Sequence, residues 1–425
     1  MISIAPFRFD VTPPLGHALL GGLVPPAIAI DDELEAIGYV LLSDDLPIVV
    51  CVLDWAGLMN ASHLKFRSAL AEAAGTTVER VALHCMHQHN APFVCEQTRQ
   101  ILAAHEEFPP LFDPTFFQAC LDRGSRALRA ALQTPRAVTH VAHAAATVER
   151  VASNRRVDRD GSGNVLKMRG SACTDSHLID LPEGTIDPAL QTIAYYSGDE
   201  RMVACHYYAT HPMSYYRDGR VTSDFCGLAR KRHQAADPNC THLYFTGCAG
   251  NIAAGKYNDG SPAARERLSQ RIYQGIIDAE SNLQPEPLRS VCWRETTLPP
   301  TSRPVPSIAS LGETVGGPTA RQVGTILQAY WTAWHRRTTP LPLQCLHLND
   351  HAILHLPGEM FIEYQLHARA LQPDYSVLVA AYGDGGPWYV PVAIEYHLGG
   401  YETQVAFCEP SIELTIKDAI KQLVS

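Results

Sequence analysis

The run Pro47-Ile-Val-Val-Cys-Val-Leu53 is continuous, apolar and β-branched, with no polar residue to face water on either side. A strand of that kind is buried on both faces, so it belongs to a sheet covered by other elements and not to a solvated hairpin. Similar runs predict strands over 80–85, 201–208, 242–246, 343–347 and 352–356. Between them lie segments with helical spacing, over 61–74 with a stop at Gly75, and over 112–132, 225–236, 262–279, 319–337 and 359–370. This alternation predicts an α/β fold: one large domain over 1–425 with a mixed sheet flanked by helices. No internal repeat is visible. The Pro- and Ser-rich stretch over 298–307 is the best linker candidate, but chemically capable segments fall on both sides of it, which favours a long loop over a site.

Composition removes several function classes. Apolar residues make up 46% of the chain and charged residues 18%, as in an ordinary soluble protein. The net charge is −10 and no basic run occurs, which argues against nucleic acid as a partner. No stretch reaches the roughly 18 apolar residues of a membrane span. The N-terminus lacks the basic start and long apolar core of a secretion signal. Twelve cysteines are scattered without a Cys-x-x-Cys pair, so neither a disulfide framework nor a Cys-based zinc site is indicated. A reduced, cytoplasmic protein is expected, acting on a small molecule. A homo-oligomer is compatible with the sequence.

Directly after the strand over 80–85 comes His84-Cys-Met-His87-Gln-His89-Asn-Ala-Pro92. Alternate residues of an extended segment point the same way, so His87 and His89 are predicted to face one pocket while Gln88 turns away. Neutral imidazole is the commonest protein ligand for zinc. Four further segments place capable residues just after a strand: Ala209-Thr-His211-Pro with Val221-Thr-Ser-Asp224, Phe245-Thr-Gly-Cys-Ala-Gly-Asn251, Leu356-Pro-Gly-Glu359, and Gly383-Asp-Gly-Gly-Pro-Trp-Tyr389 running on to Tyr401-Glu402. Ligands of α/β sheets collect outside the carboxyl ends of strands, so these segments predict one crevice there.

Taken in order, they resemble the catalytic domain of the neutral/alkaline, non-lysosomal ceramidase family. Asp10-Val-Thr-Pro-Pro14 with Gly21-Gly22 is similar to the family's opening Asp-Ile-Thr-Pro-Pro motif. His87-Gln-His89-Asn-Ala-Pro92, Asn154-Arg155, His211-Pro212 before Ser223-Asp224, Pro357-Gly-Glu359 and the block from Tyr389 to Tyr401-Glu402 each look like a family motif. The resemblance implies a zinc-dependent hydrolase of a linear amide or ester, with His87, His211, Glu359 and Tyr389 as zinc ligands and water as the nucleophile. It also implies catalytic roles for His89 as a proton carrier, Tyr401 as an oxyanion donor and Arg155 as an anchor. Asp224 is expected either to orient His211 or to hold a turn.

Two departures qualify the resemblance. Ala253 stands where the family carries a serine in a Gly-Asn/Asp-x-Ser turn, and the chain ends soon after the tyrosine block, without the family's C-terminal immunoglobulin-like domain. The site segments hold Gln88, Asn90, Arg155, Arg217, Asp218, Asn251, Lys256 and Asp384, with Tyr215 and Tyr216 beside His211. They predict a soluble substrate smaller and more polar than ceramide, contacted by Arg217, Asn251 and Tyr215. The alternatives are a non-catalytic metal-binding relative, a sugar-ester or lactone hydrolase, and an N-acylsphingosine amidohydrolase.

Overall fold

The computed structural model describes residues 2–103, 108, 111–214, 218–315, 320–373 and 375–425. In place of one mixed sheet there are three main ones, and they share a topology. The first contains β1 (Ser3–Asp10), β2 (Glu35–Leu42), β3 (Ile48–Leu53) and β4 (Val81–Cys85), with helix α1 (Asn60–Ala74) between β3 and β4. Strands β1 to β3 run antiparallel, and α1 carries the chain back to lay β4 parallel to β3. Helix α2 (Pro114–Ala131) follows, its first turn capped by the Asp113 carboxylate at 2.8 Å from the Thr115 N–H. The second sheet repeats the pattern with β5 (His140–Thr147), β6 (Ala189–Ser197), β7 (Glu200–Tyr208) and the parallel β8 (Thr241–Thr246), joined across α3 (Asp224–Ala236). Helix α4 (Pro262–Ser281) then packs beside α3. The third sheet has β9 (Val291–Leu298), a helical pair α5 (Ile308–Val315) and α6 (Ala320–His335), β10 (Leu341–Leu348), β11 (His351–His355), and β12 (Ser376–Ala380), which is parallel to β11 after α7 (Ile362–Leu371). Helix α8 (Ile412–Val424) closes the chain.

Each unit is thus three antiparallel strands, a crossover helix and a parallel strand at the sheet edge. The strands predicted from continuous apolar runs are buried ones: β3 and β4 throughout, and β8 and β11 beyond their first residue. Strand β12, buried in the same way, is one that the sequence reading does not predict. Positions three to four residues apart, His63, Phe66, Leu70 and Ala73 among them, form the buried face of α1, and Gly75 ends that helix at φ +67°, where a side chain would be strained. One continuous core joins the three units, and its largest fully buried side chains include Trp55, Trp331, Trp334 and Phe66. The stretch over 298–307 does not link domains. The Arg303 guanidinium donates to the Thr403 and Ala406 carbonyls at 2.8 and 3.1 Å, which fixes the approach to α5 and α6.

The parallel edge strands meet at their carboxyl ends. The Cys85 N–H donates to the Tyr382 carbonyl at 2.8 Å, the Ala381 N–H to the Thr246 carbonyl at 2.9 Å, and the Thr246 hydroxyl to the Met86 carbonyl at 2.7 Å. These three bonds close a ring through the ends of β4, β12 and β8. His84 lies inside it, with Nδ1 2.7 Å from the Ala381 carbonyl and Nε2 2.9 Å from His355 Nδ1.

Buried histidines make this core sensitive to acid. Burial, outweighing the pull of Asp384, lowers the His63 pKa to about 4; burial likewise lowers His84 to about 3 and His143 to about 4. The unfolded chain takes up these protons near pH 6.5 and the folded chain does not, so stability is present above about 6.5 and falls as pH drops towards 4. Urea unfolding across that window should show a falling midpoint, each such histidine contributing up to about 1.4 kcal/mol per pH unit. A midpoint unchanged between about pH 6.5 and 4.5 would contradict this burial.

Candidate metal centre

The expected crevice forms where the strands end. His87 follows β4, His211 follows β7, Glu359 follows β11 and Tyr389 follows β12. Strand β4 stops at Cys85, and His87 has φ +80°. The two histidines therefore converge through a turn and not through strand alternation, which corrects the predicted geometry while keeping its outcome: the His87 and His89 rings lie 5.1 Å apart. Gln88 faces away as expected, its side-chain amide donating to the Asp54 carbonyl. Glu359 starts a two-residue strand paired with Tyr389 and lies outside α7, which begins at Ile362. The preceding Gly358 sits at φ +62°, and a Cβ there would come within 2.9 Å of the Trp388 carbonyl.

Three electron-rich atoms meet at the centre. His87 Nδ1 is 2.6 Å from the Ala56 carbonyl and His211 Nδ1 is 3.0 Å from the Ala249 carbonyl. A carbonyl only accepts, so each Nδ1 carries the hydrogen, and in the neutral ring Nε2 is left as a lone pair. The two Nε2 atoms are 3.1 Å apart, and Glu359 Oε2 is 3.3 and 3.5 Å from them. That carboxylate oxygen is buried and makes no hydrogen bond. Ligand atoms about 2.0–2.1 Å from a tetrahedral zinc lie about 3.3–3.4 Å from one another, so this triangle has the size of one face of such a site. Burial first, then the Arg155, His87 and His89 charges, push the His211 pKa well down, which keeps its lone pair available.

Around this face stand the other expected residues. Arg155 donates to the Tyr389 hydroxyl at 3.1 Å and to Ser171 Oγ at 3.4 Å. Burial, then Glu359, raise the Tyr389 pKa well above its ordinary value, and Arg155 opposes them. The Tyr401 ring is 5.7 Å from that of Tyr389, and the His89 ring is 5.4 Å from that of His211. His87, His89 and His211 together offer nitrogens close enough to share one ion. His89, Arg155, Tyr389 and Tyr401 line one side of a cavity of about 320 Å³.

Other expectations fare differently. Asn251 is buried, accepting the Ile362 N–H at 2.8 Å and donating to Glu363, so it holds the start of α7 and is not among the cavity-lining residues. Asp224 accepts the Ser214 N–H and hydroxyl at 3.0 and 2.6 Å; it fixes the loop after His211 and does not orient that ring. Tyr215, Tyr216 and Arg217 lie outside the described residues. The polar expectation for the pocket is corrected. Asn90 donates to Asp218, Lys256 to the Ile179 and Leu181 carbonyls, and Asp384 accepts from Arg337, so these groups are spent on the scaffold. The remaining cavity wall is largely apolar, including Leu20, Leu23, Val24, Met213, Val323 and Leu327. Ala253 pairs with Ser153 and is fully buried.

Sequence reading missed two residues. Tyr382 stacks on His87 at 4.3 Å, with its hydroxyl 3.3 Å from His211 Nδ1. It lies two residues beyond the run Ser376-Val-Leu-Val-Ala380, whose apolar, β-branched content marks a strand and hence a strand-end position. Arg156, beside Arg155, is buried and donates to Glu395, to Glu402 at 2.8 Å and to the Gly399 carbonyl, which holds the segment bearing Tyr401.

No protein-family profile and no curated protein matches the chain. Among solved structures it is similar to neutral ceramidase from Pseudomonas aeruginosa, with a TM-score of 0.75 at 15% identity, over 100% of this chain and 74% of that one. A ceramidase complexed with C2 gives a TM-score of 0.73 at 15% identity with the same coverage. The chain has the neutral ceramidase fold. At this identity the likeness establishes architecture alone. No described helix is long and apolar enough to cross a membrane.

Arg156 supplies a test of how the Tyr401 segment is held. Burial pushes the Glu402 pKa up while Arg155 and Arg156 oppose it. Arg156→Met leaves that carboxylate buried beside one cation fewer and should cost about 3–5 kcal/mol in urea unfolding. Glu402→Gln, which removes the buried charge with the shape kept, should cost less; equal costs would show that the ion pair is not what holds the segment.

Proposed function

We propose that the chain is a zinc-dependent hydrolase of a linear amide or ester of metabolite size. The observation that carries this reading is the triangle of His87 Nε2, His211 Nε2 and Glu359 Oε2 at 3.1–3.5 Å. Those three side chains and Tyr389 would hold the ion, as the nitrogen and oxygen donor set suits zinc. When bound, zinc supplies Lewis acidity and brings the pKa of water towards about 7.

The chain's own groups then divide the work. Arg155 fixes the Tyr389 hydroxyl and, by its charge, favours the deprotonated phenol. Tyr401, partly exposed in the cavity wall, donates to the oxygen that gains charge as the carbonyl carbon becomes tetrahedral. His89 moves the proton to the leaving amine or alcohol. The apolar wall takes one hydrocarbon arm of the substrate, and the polar side faces the scissile bond. At about 320 Å³ the cavity is near the lower end of the 300–1,000 Å³ range of small-molecule sites, so two long chains exceed it. The apolar wall favours an acyl amide or ester over a sugar ester. With Ala253 in place of a serine, no acyl-enzyme forms at that position.

A panel of N-acyl amines, lactams, lactones and esters, assayed with and without chelator, tests the reading. Chelator, His87→Ala and His211→Ala should each abolish activity. Tyr401→Phe should lower kcat by about 10²–10³ with the metal retained. Turnover that survives chelation, or a covalent acyl adduct found by mass spectrometry, would overturn the proposal. Cleavage of long-chain ceramide with kcat/KM above about 10⁴ M⁻¹s⁻¹ would overturn the size limit alone.

A further inference from the structure

A second set of ligand-type side chains is enclosed within the second unit, away from the strand ends. His206 lies on β7, His242 on β8, and Glu280 in the last turn of α4, with His233 and Asp237 at the end of α3. His206 and His242 are fully buried and the Glu280 side chain is 7% exposed. Each histidine has an outer partner: Thr192 Oγ1 is 2.9 Å from His206 Nδ1, and Asp237 Oδ2 is 3.4 Å from His242 Nε2. The inner atoms, His206 Nε2 and His242 Nδ1, face each other at 3.1 Å. Glu280 is divided. Its Oε2 accepts from His233 Nε2 and lies beside the Arg201 guanidinium, both at 2.8 Å. Its Oε1 makes no hydrogen bond and points between the inner nitrogens, 3.6 Å from His242 Nδ1 and 3.9 Å from His206 Nε2.

We propose that His206 Nε2, His242 Nδ1 and Glu280 Oε1 form a second divalent-cation site of the zinc class, independent of the one at the strand ends. A single proton shared between the two rings satisfies both nitrogens but leaves Oε1 buried without a partner, and such a group is costly. A cation satisfies all three atoms. The outer hydroxyl and carboxylate fix ring orientation in the way that partners of metal-bound histidines do. Two carboxylates, Asp237 and Glu280, share the Arg201 guanidinium beside the site. Closing the triangle to the roughly 3.3 Å of a tetrahedral zinc face needs about 0.3–0.6 Å of movement at the Glu280 carboxylate, a flexible side chain. All three donors lie in one unit, so the site ties α4 to β7 and β8.

The test uses the full chain, stripped of metal and dialysed against zinc, with zinc per chain measured by mass spectrometry. Wild type should hold two zinc ions, His87→Ala/His211→Ala one, and His242→Gln/Glu280→Gln one, the last with its hydrolase activity kept. Glu280→Gln alone, which preserves side-chain size, is the milder variant. Zinc should raise the Tm of His87→Ala/His211→Ala, and adding Glu280→Gln to that chain should remove the rise. Cobalt in His87→Ala/His211→Ala should give the visible bands of a four-coordinate ion. Wild type with one zinc that disappears in His87→Ala/His211→Ala would overturn the second site. Wild type with one zinc that survives there and is lost in Glu280→Gln would support the second site and overturn the reading of the first.

Discussion

The ring of hydrogen bonds through Cys85, Thr246 and Ala381 is the constraint on which the site depends. Each bond joins the end of one parallel edge strand to the end of another. A sheet's register fixes the positions of its own side chains but not those of another sheet. The ring converts three separate registers into one shared frame. His87 lies two residues beyond Cys85 of the ring, and His211 and Glu359 lie three and four residues beyond the ends of the neighbouring strands β7 and β11; backbone conformations with positive φ gather at the same place, at His87, Tyr382 and Trp388. Such conformations cost of order 1–3 kcal/mol each and persist where packing over-determines them. A frame held from three sides meets that condition.

Legibility in the sequence followed burial only in part. Ile48–Leu53 was readable because both faces are covered and no polar residue interrupts the run. Strands β2 and β6, buried almost throughout, were passed over, the run being broken at Gly38 and at Gln191-Thr192, and so was β12. The exposed strands were not readable. Strand β9 is exposed at every second or third residue and contains Arg294 and Glu295, so its sequence resembles a polar connection. The threefold repetition escaped for a related reason: the units share a hydrogen-bonding plan, and side chains with no common pattern satisfy it. That the histidine, glutamate and tyrosine positions come together was legible from their place after strand-like runs taken with the family resemblance. The partners that tune them were not, because the Ala56 and Ala249 carbonyls carry no side-chain signature.

The polarity of the pocket was misjudged on physical grounds that the fold makes plain. A polar residue near a site in sequence is a candidate for substrate only if the backbone around it is already satisfied. Here the loops are long and buried, and their free carbonyls and N–H groups need partners. Asn251, Lys256 and Gln88 fill that need. The apolar wall comes instead from α6, far from every motif that marks the site, and from Leu20, Leu23, Val24 and Met213, apolar neighbours of the Gly21-Gly22 and His211 motifs.

The proposed ligands are spread over the three units, which would give a bound ion a role in assembly. His87 belongs to the first unit, His211 to the second, and Glu359 and Tyr389 to the third. No unit alone, and no pair of units, contains the full set. An ion at this position therefore recognises only the chain in which all three have docked, and by mass action its binding energy is added to that docked state. Contacts between units join segments far apart in sequence, so docking them carries a loop-closure cost that a bound ion would offset. An ion held there would thus act as a clasp on the quaternary-like arrangement of three modules in one chain.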